Sequence, residues 1–174
     1  LQIPSSHTVH FSVAYEEGFY SNDILESCHI FSPVETDCAG NIGGNSVCLD
    51  IANIDSEAGT LDVLYSSLEA IAGFQFNLDG IDIISGSSDL GLVTTQTGSN
   101  LVIGIGISDG EATGNVLGAG SGILATINFN PSISDITSCL TDAVIAFVEG
   151  VPASTISYPD ACSSVPGCSN ADEC

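Results

Sequence analysis

Apolar and polar residues alternate with period two along most of the chain, the mark of strands that bury one face. "HTVHFSVAY" (7–15) places Val9, Phe11, Val13 and Tyr15 on one side. "NSVCLDIAN" (45–53) turns Val47, Leu49 and Ile51 inward, and "GTLDVLYS" (59–66) alternates Leu61, Val63 and Tyr65 with Thr60, Asp62 and Leu64. "AIAGFQFNLDG" (70–80) carries Phe74, Phe76 and Leu78 on its apolar face and Gly73, Gln75 and Asn77 on the other. "GIDIIS" and "LGLVTT" follow. In "NLVIGIGIS" (100–108), Leu101, Ile103, Ile105 and Ile107 share one face, with Val102, Gly104 and Gly106 opposite. "GILATINFN" (122–130) and "DAVIAFVE" (142–149) bring the total to about nine strands, separated by Gly, Ser, Asn and Asp clusters. Helical periodicity is nearly absent. "NDILESC" (22–28) allows one turn capped by Asn22 or Asp23, and "SSLEAIA" is too short to hold a helix. The pattern predicts an all-β fold, an antiparallel β-sandwich.

Three segments follow from this reading. Residues 1–46 form an N-terminal strand arm and a Cys/Gly loop, "SPVETDCAGNIGGNSVC". Residues 47–158 form the sandwich. Residues 159–174 form a Cys-rich tail in which Pro159 and Pro166 are expected to break regular structure.

Charge changes the picture. The chain has 22 acidic residues and no Lys or Arg, a formal charge of −22, and it also lacks Met and Trp. No carboxylate can pair with an internal Lys or Arg, so repulsion must be relieved by solvent, His or cations such as Ca²⁺. Nucleic acid is excluded as a partner, and so is an anionic membrane surface, because both demand cationic side chains. No apolar run has membrane-spanning length, so no membrane insertion is expected. Trypsin-like proteases find no site to cut. The absence of an initiator Met leads us to expect a processed product or an excised segment. Hydrophobic residues make up 44% of the chain and charged ones 13%, which favours a packed core over an acidic tail.

Seven cysteines, Cys28, Cys38, Cys48, Cys139, Cys162, Cys168 and Cys174, form no C-x-x-C pair. In a glycine-rich β chain they suggest disulfides made in an oxidising compartment, and hence a secreted protein. Among the many connectivities, one choice pairs Cys139 with Cys162 and uses Cys28, Cys38 and Cys48 to staple the arm. An odd count leaves one thiol over, for which the terminal Cys174 is the natural candidate.

"LDVLYSSLEAIAGFQFNLDGI", "GLVTTQTGSNLVIGIGIS", "GAGSGILATINF" and "SCLTDAVIAF" together resemble the cohesin-like β-sandwich domains of large secreted proteins. The order of marks matches over about residues 47–148: a strand with Tyr65, the Gly73–Phe74–Gln75–Phe76 strand, a Gly-rich strand, the Gly120–Ser121–Gly122 turn into a strand, and a late strand at Cys139 and Leu140. The same stretch is similar to some carbohydrate-binding-module sandwiches, and jelly-roll-like in outline. "TDCAGN" (36–41) and "NADEC" (170–174) resemble the Cys/Gly/Asp-rich repeats that link domains in very large marine extracellular proteins. The resemblance implies a non-catalytic extracellular role in assembly or adhesion.

The candidate chemistry is sparse. His7 and His10 point to opposite faces of one predicted strand and cannot chelate an ion together, while His29 sits beside Cys28 in a loop. Calcium is better served. Asp50, Asn53, Asp55 and Glu57, then Asp79 and Asp82, then Asp109, Glu111 and Asn115, are expected at strand ends where carboxylates and carbonyls converge. None matches an EF-hand loop. Ser121 lies in "GAGSGI" without a G-x-S-x-G elbow and reads as a hairpin-turn residue. No acid pair stands out for glycoside chemistry, so no enzyme is expected. A sugar platform would draw on Tyr15, Tyr20, Tyr65 and Tyr158, making carbohydrate an alternative partner. The lone N-terminal strand needs a sheet. It either folds back on its own sandwich or adds to a neighbouring copy through Val9, Phe11, Val13 and Tyr15. Repeated head to tail, that contact builds a filament of identical copies, a homopolymer stapled by disulfides. The other reading is a calcium-dependent adhesion or carbohydrate-binding module of a larger secreted protein.

Overall fold

A computed structural model describes residues 35–96, 98, 100–106, 115–148, 156–160 and 162–169. Ten strands lie among them: β1 (Val47–Asp55), β2 (Thr60–Ser67), β3 (Ile71–Asp79), β4 (Ile83–Ser87), β5 (Gly91–Gln96), β6 (Leu101–Gly106), β7 (Gly120–Phe129), β8 (Ile136–Phe147), β9 (Ile156–Asp160) and β10 (Cys162–Val165). They form two five-stranded sheets, β4-β7-β2-β1-β9 and β10-β8-β3-β6-β5, antiparallel except where β9 runs parallel to β1. The all-β sandwich expected from the alternation is the fold observed. The predicted strand at 7–15 and the turn at 22–28 lie outside the described residues.

The inner faces of both sheets supply one core. Leu49, Leu61, Val63, Phe76, Leu78, Ile127 and Leu140 are essentially sealed from solvent. Phe74 and Phe76 stack with ring centroids 5.6 Å apart, two residues along one strand face. Their bulk decides how β6 is oriented. Gly104 pairs with Phe74 across the β3–β6 ladder, and a methyl carbon there would stand 2.2 Å from the Phe74 ring. One at Gly106 would stand 2.1 Å from the Asn115 carbonyl oxygen. The small face of β6, Val102–Gly104–Gly106, therefore turns inward. Its more apolar face, with Ile103 and Ile105, looks out.

One side of the sandwich is closed by a strand that changes sheets. β9 pairs with β1, and one residue later β10 pairs with β8. Both disulfides with two described partners sit there. Cys139 and Cys162 are bonded directly across the β8–β10 ladder, and Cys38–Cys48 closes the loop ahead of β1, where Cys48 lies opposite Ser157 of β9. Cys168 is disulfide-bonded as well. On the opposite side β4 meets β5, where Gly86 lets Val93 and Thr95 approach closely.

Three expectations need correction. The tail does hold regular structure, since β9 reaches past Pro159 and β10 stops at Val165, just before Pro166. Among the described strands both stand at the ends of their sheets, and edges tolerate a residue that cannot donate to a ladder. Second, periodicity starts the last sandwich strand at 142, whereas β8 begins at Ile136. A bulge hides the join: Asp142 has φ 50° and the β3–β8 register shifts there. The buried set passes from Ser138 and Leu140 to Ile145 and Phe147, from even to odd positions, so alternation fails across the bulge. Third, Ser121 is not a turn residue but part of β7, paired with Ser66.

Ser138 is fully buried, and among the described residues its hydroxyl has no hydrogen-bond partner. Leaving such a group unsatisfied costs about 1–3 kcal/mol. Ser138→Ala is therefore expected to leave stability unchanged or raise it by about 1 kcal/mol, read from the urea midpoint.

Candidate binding face

In a chain without Lys or Arg, several described carboxylates are satisfied by neutral donors. Asp62 accepts from Asn53 Nδ2 at 2.8 Å and Thr126 Oγ1 at 2.6 Å. Asp142 accepts from Asn77 Nδ2 at 3.0 Å, Asp79 from Thr141 Oγ1 at 3.2 Å, and Asp82 from Asn130 Nδ2. Asp55 caps the β1–β2 turn by accepting from the Glu57 and Ala58 amides at 3.1 and 2.9 Å. Sequence reasoning offered solvent, His or Ca²⁺ for this task and missed Asn, Thr and the backbone. Those partners are set by cross-strand register, which spacing along the chain does not reveal.

Asp37 is the deepest of these acids. It is 4% exposed, and accepts from the amides of Asn41, Ala39 and Ser46 at 2.8, 3.1 and 3.1 Å, with the Asn41 side chain at 3.4 Å. Burial alone would push its carboxyl up, but the donors from Asn41 and Ser46 outweigh it and hold the group at about 2. A pKa lowered on folding contributes stability that is complete above the unfolded value near 3.8 and is lost as pH falls through about 2. Between pH 4 and 2 the loop that Cys38–Cys48 closes should loosen. In Asp37→Asn that acid dependence should be weaker, measured as melting temperature against pH.

The residues considered for calcium are dispersed. Asp50 lies within β1, opposite Leu64, rather than at a strand end, with four residues between it and Asp55, where the turn holding Glu57 begins. Asp79 and Asp82 engage Thr141 and Asn130, on different strands and loops. Among the described residues no three His, Cys, Asp or Glu side chains come together as a metal would require. Asp109 and Glu111 lie outside the described residues, as do Val9, Phe11, Val13, Tyr15, Cys28 and Cys174. Tyr65 offers no sugar platform. It is 8% exposed, donates its hydroxyl to the Gly118 carbonyl at 2.8 Å, and burial pushes its phenol above the usual range.

The outer face of the β5–β6–β3–β8 sheet is different in kind. Register aligns Leu92, Ile105, Gly73 and Ala146 in one row across the strands, and Thr94, Ile103, Gln75 and Val144 in the next. Leu92, Ile105 and Val144 are 46%, 43% and 53% exposed, which is unusual for aliphatic side chains in the middle of strands. Residues 90–108, which include all of β5 and β6, contain no Asp or Glu. Asp79 and Asp142 stand only at the end of the face, beyond Asn77. Gly73, Gln75 and Asn77 look outward, as their alternation with Phe74, Phe76 and Leu78 predicts.

No protein-family model matches the chain, and no curated protein matches it in sequence. Solved structures do match in fold. The CaCohA2 domain of Clostridium acetobutylicum, crystallised in complex with a CaDoc0917 variant, aligns with a TM-score of 0.51 at 13% identity, over 70% of this chain and 99% of its own. The fold is cohesin-like. Two further cohesins align more loosely. The non-cellulosomal cohesin of Archaeoglobus fulgidus has a TM-score of 0.47 at 15% identity, over 73% of this chain and 94% of its own. The OlpC cohesin of Clostridium thermocellum, solved in a cohesin–dockerin complex, has a TM-score of 0.48 at 7% identity, over 72% and 95%. The cohesin-like sandwich described here has no α-helix, and no helix among the described residues is long and apolar enough to cross a membrane.

Proposed function

We propose that this cohesin-like chain is a non-catalytic structural subunit of an extracellular assembly, which meets its neighbours through the outer face of β5, β6 and β3. The observation that carries the reading is an outer face free of carboxylates across β5 and β6 and bearing exposed aliphatic side chains, on a chain of 22 acids and no Lys or Arg. Contact elsewhere on the surface sets carboxylates against carboxylates, at about 1 kcal/mol per pair at 4 Å in water. Contact on β5 and β6 avoids that cost and buries Leu92, Ile103 and Ile105.

In its finer form the assembly is a filament. Residues 8–15, with Val9, Phe11, Val13 and Tyr15 as anchors, add as a strand to the next copy. Such addition is held by main-chain hydrogen bonds, which need no side-chain charge, and its head-to-tail repetition does not close. Disulfides fit an oxidising compartment outside the cell, and a chain without Lys or Arg gives trypsin-like proteases nothing to cleave there. Calcium enters the same proposal as a counter-ion for the acidic surface around the face.

The test is electron microscopy and sizing of the full chain across salt concentration. Assembly should grow with ionic strength as carboxylate repulsion is screened, and Ile105→Asp should abolish it while leaving the fold intact. A chain that stays monomeric at every salt and protein concentration fails the proposal.

A further inference from the structure

Going beyond the assembly reading and independent of it, we propose that the cleft between the β4–β5 turn and β7 binds one pyranose ring of a neutral sugar. The cleft has a volume of about 190 Å³ and is lined by Ser87, Ser88, Asp89, Ile123 and Thr126. That is below the roughly 300–1,000 Å³ of sites for drug-sized ligands, and suits a single ring. A bulge shapes its floor. β7 skips Leu124 in its pairing with β2, where Val63 meets Ala125 and Leu64 meets Ile123. Residues three apart in a regular strand point to opposite faces. Here Leu124 and Ala125 are both buried, which leaves Ile123 and Thr126 together on the outer side. The wall is pinned to the same bulge. Ser88 donates its hydroxyl to the Leu124 carbonyl at 2.6 Å and accepts from the Leu90 amide at 3.3 Å. Ser87 completes the row by pairing with Thr126 across the β4–β7 ladder. The cleft is thus preformed, and filling it needs little further ordering.

The groups that face the cleft define the ligand. Most described carboxylates accept from an amide, Asn, Ser or Thr. Asp89 lines the cleft and accepts from none of the described residues, and the Ser87 hydroxyl has no described partner either. Thr126 gives its proton to Asp62, which leaves its oxygen as an acceptor. The cleft therefore presents oxygens and calls for a ligand that donates. An anion is repelled there by a chain of 22 acids without Lys or Arg. A metal ion is poorly served, since no three His, Cys, Asp or Glu side chains meet among the described residues. An ammonium group would satisfy Asp89 but leave Ile123, which is 48% exposed, without a partner. A sugar ring uses both. Its adjacent hydroxyls donate to the Asp89 carboxylate and the Thr126 oxygen and exchange a hydrogen bond with Ser87, while its C–H face lies on Ile123. Such a site needs none of the tyrosines considered from the sequence.

The test is a ¹H–¹⁵N chemical-shift titration of the full chain at low salt, with the methyl glycosides of glucose, galactose and mannose as probes. At least one should give saturable shifts at the amides of 87–89 and 123–126, with Kd on the order of millimolar for so small a contact. Asp89→Ala should weaken that binding about tenfold and Ser87→Ala about threefold. Glu69→Ala removes an exposed acid elsewhere whose side chain also lacks a described partner, and should leave binding unchanged. Unmoved amides in the rest of each variant's spectrum verify the fold. No saturable shift with any of the three glycosides overturns the proposal, and so does binding indifferent to Asp89→Ala. The same amides moving with N-acetyl-lysine methylamide or calcium chloride, while the sugars stay silent, overturn it in favour of a cation. None of these results bears on assembly through β5 and β6.

Discussion

Gly104→Val is expected to cost about 3 kcal/mol of stability, although it adds apolar surface to a strand. The inner face of β6 has no room for a side chain. The first carbon beyond the backbone would stand 2.2 Å from the Phe74 ring, which is itself stacked on Phe76 and 4% exposed. Valine forces the ring from its place or pushes β6 away from β3, at the upper end of the cost of overpacking. The companion substitution separates this account from simple hydrophobicity. Ile105 is the next residue but lies on the outer face, so Ile105→Thr should change stability by less than about 0.5 kcal/mol. Urea unfolding of both variants at equal m-value provides the comparison. Were Ile105 the buried side, the order would reverse.

Replacing both Cys139 and Cys162 with serine is expected to cost about 3 kcal/mol. The bond closes a loop with a sequence separation of 23, and loop-closure entropy for that size is roughly 3 kcal/mol. Its position concentrates the effect. The bond lies just past the point where the chain leaves β1 for β8, and it holds β10, four residues long, on the β8 edge. Val165 at the end of β10 is fully buried, so loss of the strand opens the core as well. The loss should appear as a lower urea midpoint and as faster amide exchange at 136–139, while exchange in β2 and β7 follows only global unfolding. Removing Cys38–Cys48 instead, with its separation of 10, should cost somewhat less by the same entropy.

Much of the fold is legible in the sequence where one side of a strand meets only core. β1, β2 and β3 alternate cleanly because Leu49, Leu61, Val63, Phe76 and Leu78 all face the same interior. Legibility fails where a neighbour claims the space or the backbone skips a beat. In β6 the apolar isoleucines are outside because Phe74 fills the volume above Gly104. In β8 the bulge at Asp142 hides half a strand. β10 is masked by Pro159 and Pro166, which an edge tolerates. The candidate face is the least readable part. It depends on which side of β6 is turned out and on Asp79 and Asp142 finding Thr and Asn partners on other strands, Asn77 and Asp142 being 65 residues apart.

The central claim, that the carboxylate-free surface of β5 and β6 is where copies meet, is tested most directly by hydrogen exchange of the full chain at rising concentration and salt. The account predicts that amides in 91–96 and 101–106 gain protection as assembly proceeds, while those in β2 and β1 stay as they are in the monomer. Assembly with unchanged protection in β5 and β6, or with new protection centred on β1 and β2, would contradict it.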